Sequence, residues 1–283
     1  MSRGLDTNGP QDVTFPSSEL GLHGRLQHGA DDAPTLVLLC GVGFHTFEYE
    51  PLAACLAAGG FNSLSFDYRG HGRSDGPRGR WTLAQLVADA RHAIDFVHQR
   101  YRGPVGLFGN SLGAMVALLT GISDDRITGV AAANCPARLT DFLLTRPRRA
   151  AFALAKLIAP LAPIRISLNH FYSYEQLIDD PAVVSTIRAD PLIADARRLS
   201  AATYSTMLDH WNGPATASEL HKPLLLIQGR NDRMQPPEQS RLVFAAANDP
   251  KTYQTVDTGH LPHLEDPATI AELLIEWFSE LTR

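Results

Sequence analysis

Cysteine is scarce in this chain: Cys40, Cys55 and Cys135 are the only three in 283 residues. An odd count without C-x-x-C spacing excludes a disulfide framework and a cysteine zinc site, and suits free thiols in a reducing compartment. Long hydrophobic runs are missing as well. The strongly apolar stretch 150–164 falls short of the roughly 18 residues a spanning helix needs, and Pro160 and Pro163 interrupt it. There is no basic excess either: 25 Lys and Arg face 30 Asp and Glu, for a net charge of -5. Without a broad positive field, nucleic acid is not expected as a partner. Residues 1–12 are polar, with Gly and Pro and no apolar signal segment, so a flexible N-terminus and a cytoplasmic location are expected. At 44% hydrophobic residues the chain can bury a large core, which excludes extended disorder.

Short apolar runs at 35–39, 62–66, 104–108, 127–133, 223–227 and 252–256 read as strands buried on both faces. They alternate with helical patterns, as in an α/β protein with a mostly parallel sheet. Segments 13–15 and 20–27 could add an antiparallel hairpin at its edge. Thr82 is placed to cap a helix carrying Leu83, Leu86, Ala90, Ile94 and Val97, and Asp266-Pro267 to open another with Ile270, Leu273, Leu274 and Trp277. Alternation fails over 137–220, where short helices are broken by prolines. That segment reads as a helical cap inserted into a core of residues 13–136 and 221–283. With Arg146, Arg148 and Arg149 before it, the apolar stretch could rest transiently on lipid headgroups or cover an apolar cleft.

The pattern G-x-S-x-G at Gly109–Gly113 follows a strand and precedes a helix. A serine on so sharp a turn presents its hydroxyl, and the N–H of Leu112 at the helix start is free for a developing oxyanion. Ser111 is therefore the candidate nucleophile. The same five-letter pattern recurs at Gly72–Gly76, but Ser74 lies in a glycine-rich loop with no helix after it.

A serine hydroxyl needs an imidazole to take its proton and a carboxylate to orient that imidazole. On a parallel sheet both belong on loops at the carboxyl ends of strands. Asp232 follows 223–227 and His260 follows 252–256, giving the order Ser, Asp, His. His263, after Pro262, is expected to be structural, and Asp257 to shape the turn. The loop Cys40-Gly41-Val42-Gly43-Phe44-His45 should supply a second oxyanion donor, the N–H of Val42. Phe44, His45 and Asn110 are candidate substrate-binding residues. No metal site and no cofactor are expected.

These residues, with Asp67-Tyr68-Arg69-Gly70-His71-Gly72-Arg73-Ser74 and Gly259-His260 before Leu264-Glu265-Asp266-Pro267, resemble the α/β-hydrolase superfamily. The stretches Phe47–Ala53 and Ala189–Leu192 are similar to its monoacylglycerol lipase and lysophospholipase branch. That resemblance implies an α/β-hydrolase fold and a lipase-like serine esterase acting on a small-molecule ester of an apolar acyl chain. A thioesterase or acyltransferase with the same triad, or a binding protein without turnover, remain alternatives. Members of the branch usually carry His where this chain has Cys40 and Asn110. Oligomeric state is not legible.

Overall fold

The computed structural model describes residues 9–158 and 164–283, without the side chains of 156–158. Residues 1–8 of the expected flexible N-terminus, and 159–163 of the apolar stretch with Pro160 and Pro163, lie outside the described residues.

Eight strands form one sheet: β1 (Gln11–Ser17), β2 (Leu20–Gln27), β3 (Thr35–Leu39), β4 (Asn62–Phe66), β5 (Val105–Asn110), β6 (Ile127–Ala133), β9 (Leu224–Gly229) and β10 (Lys251–Val256). The intervening β7 (Arg165–Ser167) and β8 (Arg198–Ser200) pair separately as an antiparallel ribbon. In space the sheet runs β1-β2-β4-β3-β5-β6-β9-β10. β1 and β2 pair antiparallel, as do β2 and β4, and every later pairing is parallel. β3, β4, β5 and β9 are buried along their whole length; β3 and β9 accordingly show apolar runs, whereas β4 alternates Ser63, Leu64, Ser65 and Phe66 and buries its serines as well.

The crossover helices are α1 (Glu50–Ala58), α2 (Leu83–His98) and α3 (Leu112–Ser123). A reciprocal capping box between Thr82 and Gln85 starts α2, and Leu83, Leu86, Ala90, Ile94 and Val97 form part of its buried face. Between β6 and β9 lie α4 (Leu139–Leu143), α5 (Arg146–Ile158), α6 (Pro181–Ala189), α7 (Pro191–Ala196), α8 (Ala201–Leu208) and α9 (Gly213–Glu219). Pro181, Pro191 and Pro214 sit in the first turns of α6, α7 and α9, so they begin these helices instead of breaking them. α9 packs on α3 and on α10 (Glu238–Ala246), the side of the sheet.

The chain ends with α11 (Pro262–Glu265) and α12 (Pro267–Leu281), the latter capped by the Asp266 side chain. α12 buries Ile270, Ala271, Leu274 and Phe278, while Leu273 and Trp277 are only partly covered. Among the described residues no helix is long and apolar enough to cross a membrane. Because β3, β5, β6, β9 and β10 run parallel, the loops that follow them meet at one sheet edge, and the candidate site lies there.

Candidate active site

Ser111 occupies the turn between β5 and α3 at φ 57°, ψ -111°, a conformation that costs an L-residue about 1–3 kcal/mol. Its surroundings enforce it. The Ser111 N–H donates to the Ala133 carbonyl at 3.0 Å, and its own carbonyl accepts from Met115 N–H at 3.2 Å. A methyl group on Gly113 would lie 1.9 Å from the Leu39 carbonyl oxygen, and one on Gly109 would lie 2.3 Å from the Gly113 backbone, so both glycines are required by close backbone approach. The N–H groups of Leu112 and Val42 have no acceptor among the described residues.

Asp232 and His260 stand on the loops after β9 and β10. The imidazole Nδ1 lies 2.7 Å from Asp232 Oδ2, with both side chains almost fully buried. Asp232 Oδ1 meanwhile accepts the Met234 and Gln235 N–H groups at 2.9 and 2.8 Å, which fixes the carboxylate plane. The histidine backbone is tied down as well: its carbonyl accepts from Asn110 Nδ2 at 3.0 Å and Asn134 Nδ2 at 2.9 Å, and its N–H donates to Leu177 O at 3.1 Å. Glu265 receives the N–H groups of Gly259 and Leu261 and holds the loop from the other side.

Ser111 and His260 face one small cavity of about 10 Å³, which Val42, Phe44, Asn110, Tyr172 and Leu177 also line. Within it the Ser111 hydroxyl makes no hydrogen bond to the imidazole. The Asn110 amide is committed to the histidine loop. His45 does not line this cavity; its Nε2 lies 2.9 Å from Asp190 Oδ2, joining the loop after β3 to the start of α7. Burial pushes the Asp190 carboxyl up, but His45 and the Leu192 N–H outweigh it and leave it below the ordinary carboxylate range.

Ser74 is buried away from this site, donating to Asp67 O and accepting from His23 N–H. Asp67 is the hub of its loop. It takes the Thr46 and Arg73 N–H groups at 2.7 Å each and lies 3.1 Å from His23 Nδ1. Cys40 is buried and donates to Phe66 O, and its desolvated thiol is pushed well above the ordinary thiol range. Asp257 pairs with Arg230 at the turn.

Two positions were not legible in the sequence. Glu48, fully buried, accepts the Gly41 N–H at 2.7 Å with Oε1, and its Oε2 lies 3.3 Å from His263 Nε2. It therefore braces the loop carrying Val42. Asn134, at φ 43°, accepts the Gly229 N–H and donates to His260 O, joining the ends of β6 and β9 to the histidine loop. An asparagine directly after a buried strand, at the edge where ligands bind, was the available signal.

Over residues 31–266 the sequence matches the Hydrolase_4 family, described as serine aminopeptidase, S33. It is 27% identical over 223 residues to the monoacylglycerol lipase of Mycolicibacterium smegmatis, covering 75% of each chain. Over 253 residues it is 27% identical to the human monoglyceride lipase, covering 86% of this chain and 81% of that one. A soluble variant of monoglyceride lipase from Saccharomyces cerevisiae, solved with a substrate analog, superposes with a TM-score of 0.81 at 16% identity, covering 98% and 97% of the two chains. The fold, the strand order and the family match agree: the chain belongs to the Hydrolase_4 (serine aminopeptidase, S33) family of α/β hydrolases and is similar to its monoacylglycerol lipase branch.

Proposed function

We propose that this hydrolase cleaves carboxylic esters of apolar acyl chains through an acyl-enzyme. Ser111 Oγ attacks the acyl carbonyl and gives its proton to His260 Nε2, and Asp232 stabilises the imidazolium through Nδ1–H. The N–H groups of Val42 and Leu112 receive the developing oxyanion. His260 then protonates the departing alcohol, and in the second half-reaction it activates the water that cleaves the acyl-serine. The observation that carries this reading is the 2.7 Å Asp232–His260 pair opening on the same cavity as the strained Ser111.

We assign the described residues of 137–208 as a cap over this site, shorter than the expected 137–220 because α9 packs on α3 and α10 of the core. Tyr172 and Leu177 line a cavity of about 10 Å³, too small for an acyl group, so admission of substrate requires its walls to move apart. Admission of substrate then brings Ser111 and His260 into hydrogen-bonding register, since catalytic bonds that are long in the free enzyme tighten in the complex. Burial of each acyl methylene would add about 0.8 kcal/mol to binding. The names of the relatives favour a monoacylglycerol-like ester, presented from a membrane surface that the cap touches transiently. Three free cysteines suit a cytoplasmic setting.

The test is a series of monoacyl esters of rising chain length assayed with wild-type and Ser111→Ala protein. The reading expects kcat/KM to rise with chain length and to fall by at least about a thousandfold in the variant. Turnover by Ser111→Ala at the wild-type rate would overturn the mechanism, and preference for acetyl over decanoyl esters would overturn the substrate class.

A further inference from the structure

Arg197, between α7 and β8, is the largest fully buried side chain, at 1% exposure. Its Nε donates to Asn169 Oδ1 at 3.0 Å, but Nη1 and Nη2 are buried with no acceptor. No carboxylate pairs with it among the described residues. The guanidinium carbon stands 4.9 and 4.5 Å from the ring centroids of Tyr172 and Tyr174, so two aromatic faces, the Tyr172 hydroxyl and one amide surround the charge. Leaving a guanidinium dry with two idle NH₂ groups costs several kcal/mol unless an anion meets it.

The residue lines a cavity of about 480 Å³ together with Ser167, Asn169, Ser173, Arg188 and Arg198. Three arginines and two serines contribute to this wall, and no lining residue is acidic. Of the three, Arg188 already pairs with Glu175, and Asp195, next to the wall residue Ala194, pairs with Arg78. Two of the arginines ahead of the apolar stretch are occupied by backbone carbonyls. Arg148 donates to the carbonyls of Leu143 and His170, and Arg149 to those of Leu144 and Thr140.

We infer that this cavity binds the phosphate group of a phosphomonoester. Guanidinium forks with hydroxyl donors match a dianion with three acceptor oxygens, whereas a carboxylate would be satisfied by one fork. The pocket also adjoins the candidate active site. A methyl group on Gly43, at φ 76° in the loop carrying Val42, would lie 2.7 Å from Arg197 Cγ, and Tyr172, stacked near the guanidinium, lines the Ser111 cavity. Anion binding at Arg197 is thus one side chain away from the oxyanion donors. Two sources share this chemistry: a phosphate carried on the ester substrate, or a separate phosphorylated metabolite.

The experiment titrates inorganic phosphate into the full chain by calorimetry at fixed ionic strength. Saturable binding at one site is expected, weakened at least about tenfold in Arg188→Gln/Arg198→Gln, whose two altered side chains are exposed. Arg197→Met, checked by circular dichroism for a folded chain, is expected to abolish it. No saturable binding to wild type, or equal binding to the double variant, would overturn the site. Ser111→Ala is expected to bind phosphate like wild type, so failure of the hydrolase reading stays separate from failure of this one. A second arm, which rests on the proposed ester hydrolysis, compares esters of one acyl chain whose alcohol does or does not carry phosphate. A KM lowered only for the phosphorylated ester, and only with the arginines intact, identifies the substrate as the source. Equal KM values identify a separate metabolite.

Discussion

Ser111 is held in its strained conformation by backbone alone, and that makes its glycine neighbours as consequential as the serine. Gly113→Ala would drive a methyl group to 1.9 Å from a carbonyl oxygen of a central strand, which cannot yield without breaking the sheet. The expected loss is at least about 3 kcal/mol, read as a fall in the midpoint of urea unfolding. His71 offers a different test. It is fully buried, and desolvation lowers its pKa from 6.5 to about 4. Between those values the unfolded chain binds the proton and the folded chain does not. Stability therefore rises with pH across that window, is fully present above 6.5, and is lost toward pH 4. The effect is about 3 kcal/mol and should vanish from the pH dependence of His71→Gln. At this scale the sequence was legible where chemistry and spacing coincide, as at Ser111, Asp232 and His260, whose positions could be read from strand-loop order. Glu48 escaped because its partner His263, itself expected to be structural, lies 215 positions away, and nothing local marks a carboxylate that serves the N–H of Gly41.

Elements were legible for related reasons. The expected runs located every parallel strand within two residues; burial along their length accounts for most of them, whereas β10, at the sheet edge, leaves Gln254 and Thr255 exposed and is not buried on both faces as expected. The edge strand β1 was less visible. It begins at Gln11, ahead of the expected 13–15, since its register is set by pairing with β2, and polar residues suffice there. The second G-x-S-x-G belongs to a loop whose work is to anchor α2. From that loop Arg69 Nε and Nη2 meet the Asp89 carboxylate at 2.9 and 2.6 Å, with Asp89 fully buried. Removing one partner of such a pair strands the other. Asp89→Ala should cost about 3–5 kcal/mol in chemical denaturation, more than an exposed pair such as Arg188–Glu175 could account for.

Across the whole molecule, the segment between β6 and β9 reaches the candidate site, where Tyr172 and Leu177 line the Ser111 cavity, and it is tied to the site's loops. Arg233, next to Asp232, pairs with Asp179 and donates to Glu175 O, and Leu177 O holds the His260 N–H. Opening must release some of these ties. The Arg233–Asp179 pair is largely exposed and therefore weak, about 0–1 kcal/mol. Arg233→Ala should leave thermal stability nearly unchanged yet raise kcat/KM for long-chain esters a few-fold if cap opening limits entry; an unchanged ratio between long and short esters would contradict that. How the cap folds was the least legible feature. Its helices are short, several are started by proline, and they pack mainly on one another, α5 and α4 on α8 and α6 on α7, so no pairing with the sheet fixes their order.

In the proposed mechanism the hydroxyl oxygen of Ser111 becomes covalently bonded to the acyl group during turnover. A fluorophosphonate carrying an alkyl chain, followed by peptide mass spectrometry, measures this directly. One adduct per chain is expected, located on Ser111, lost in Ser111→Ala and strongly slowed in His260→Ala. An adduct on another residue, or undiminished labelling of Ser111→Ala, would contradict it.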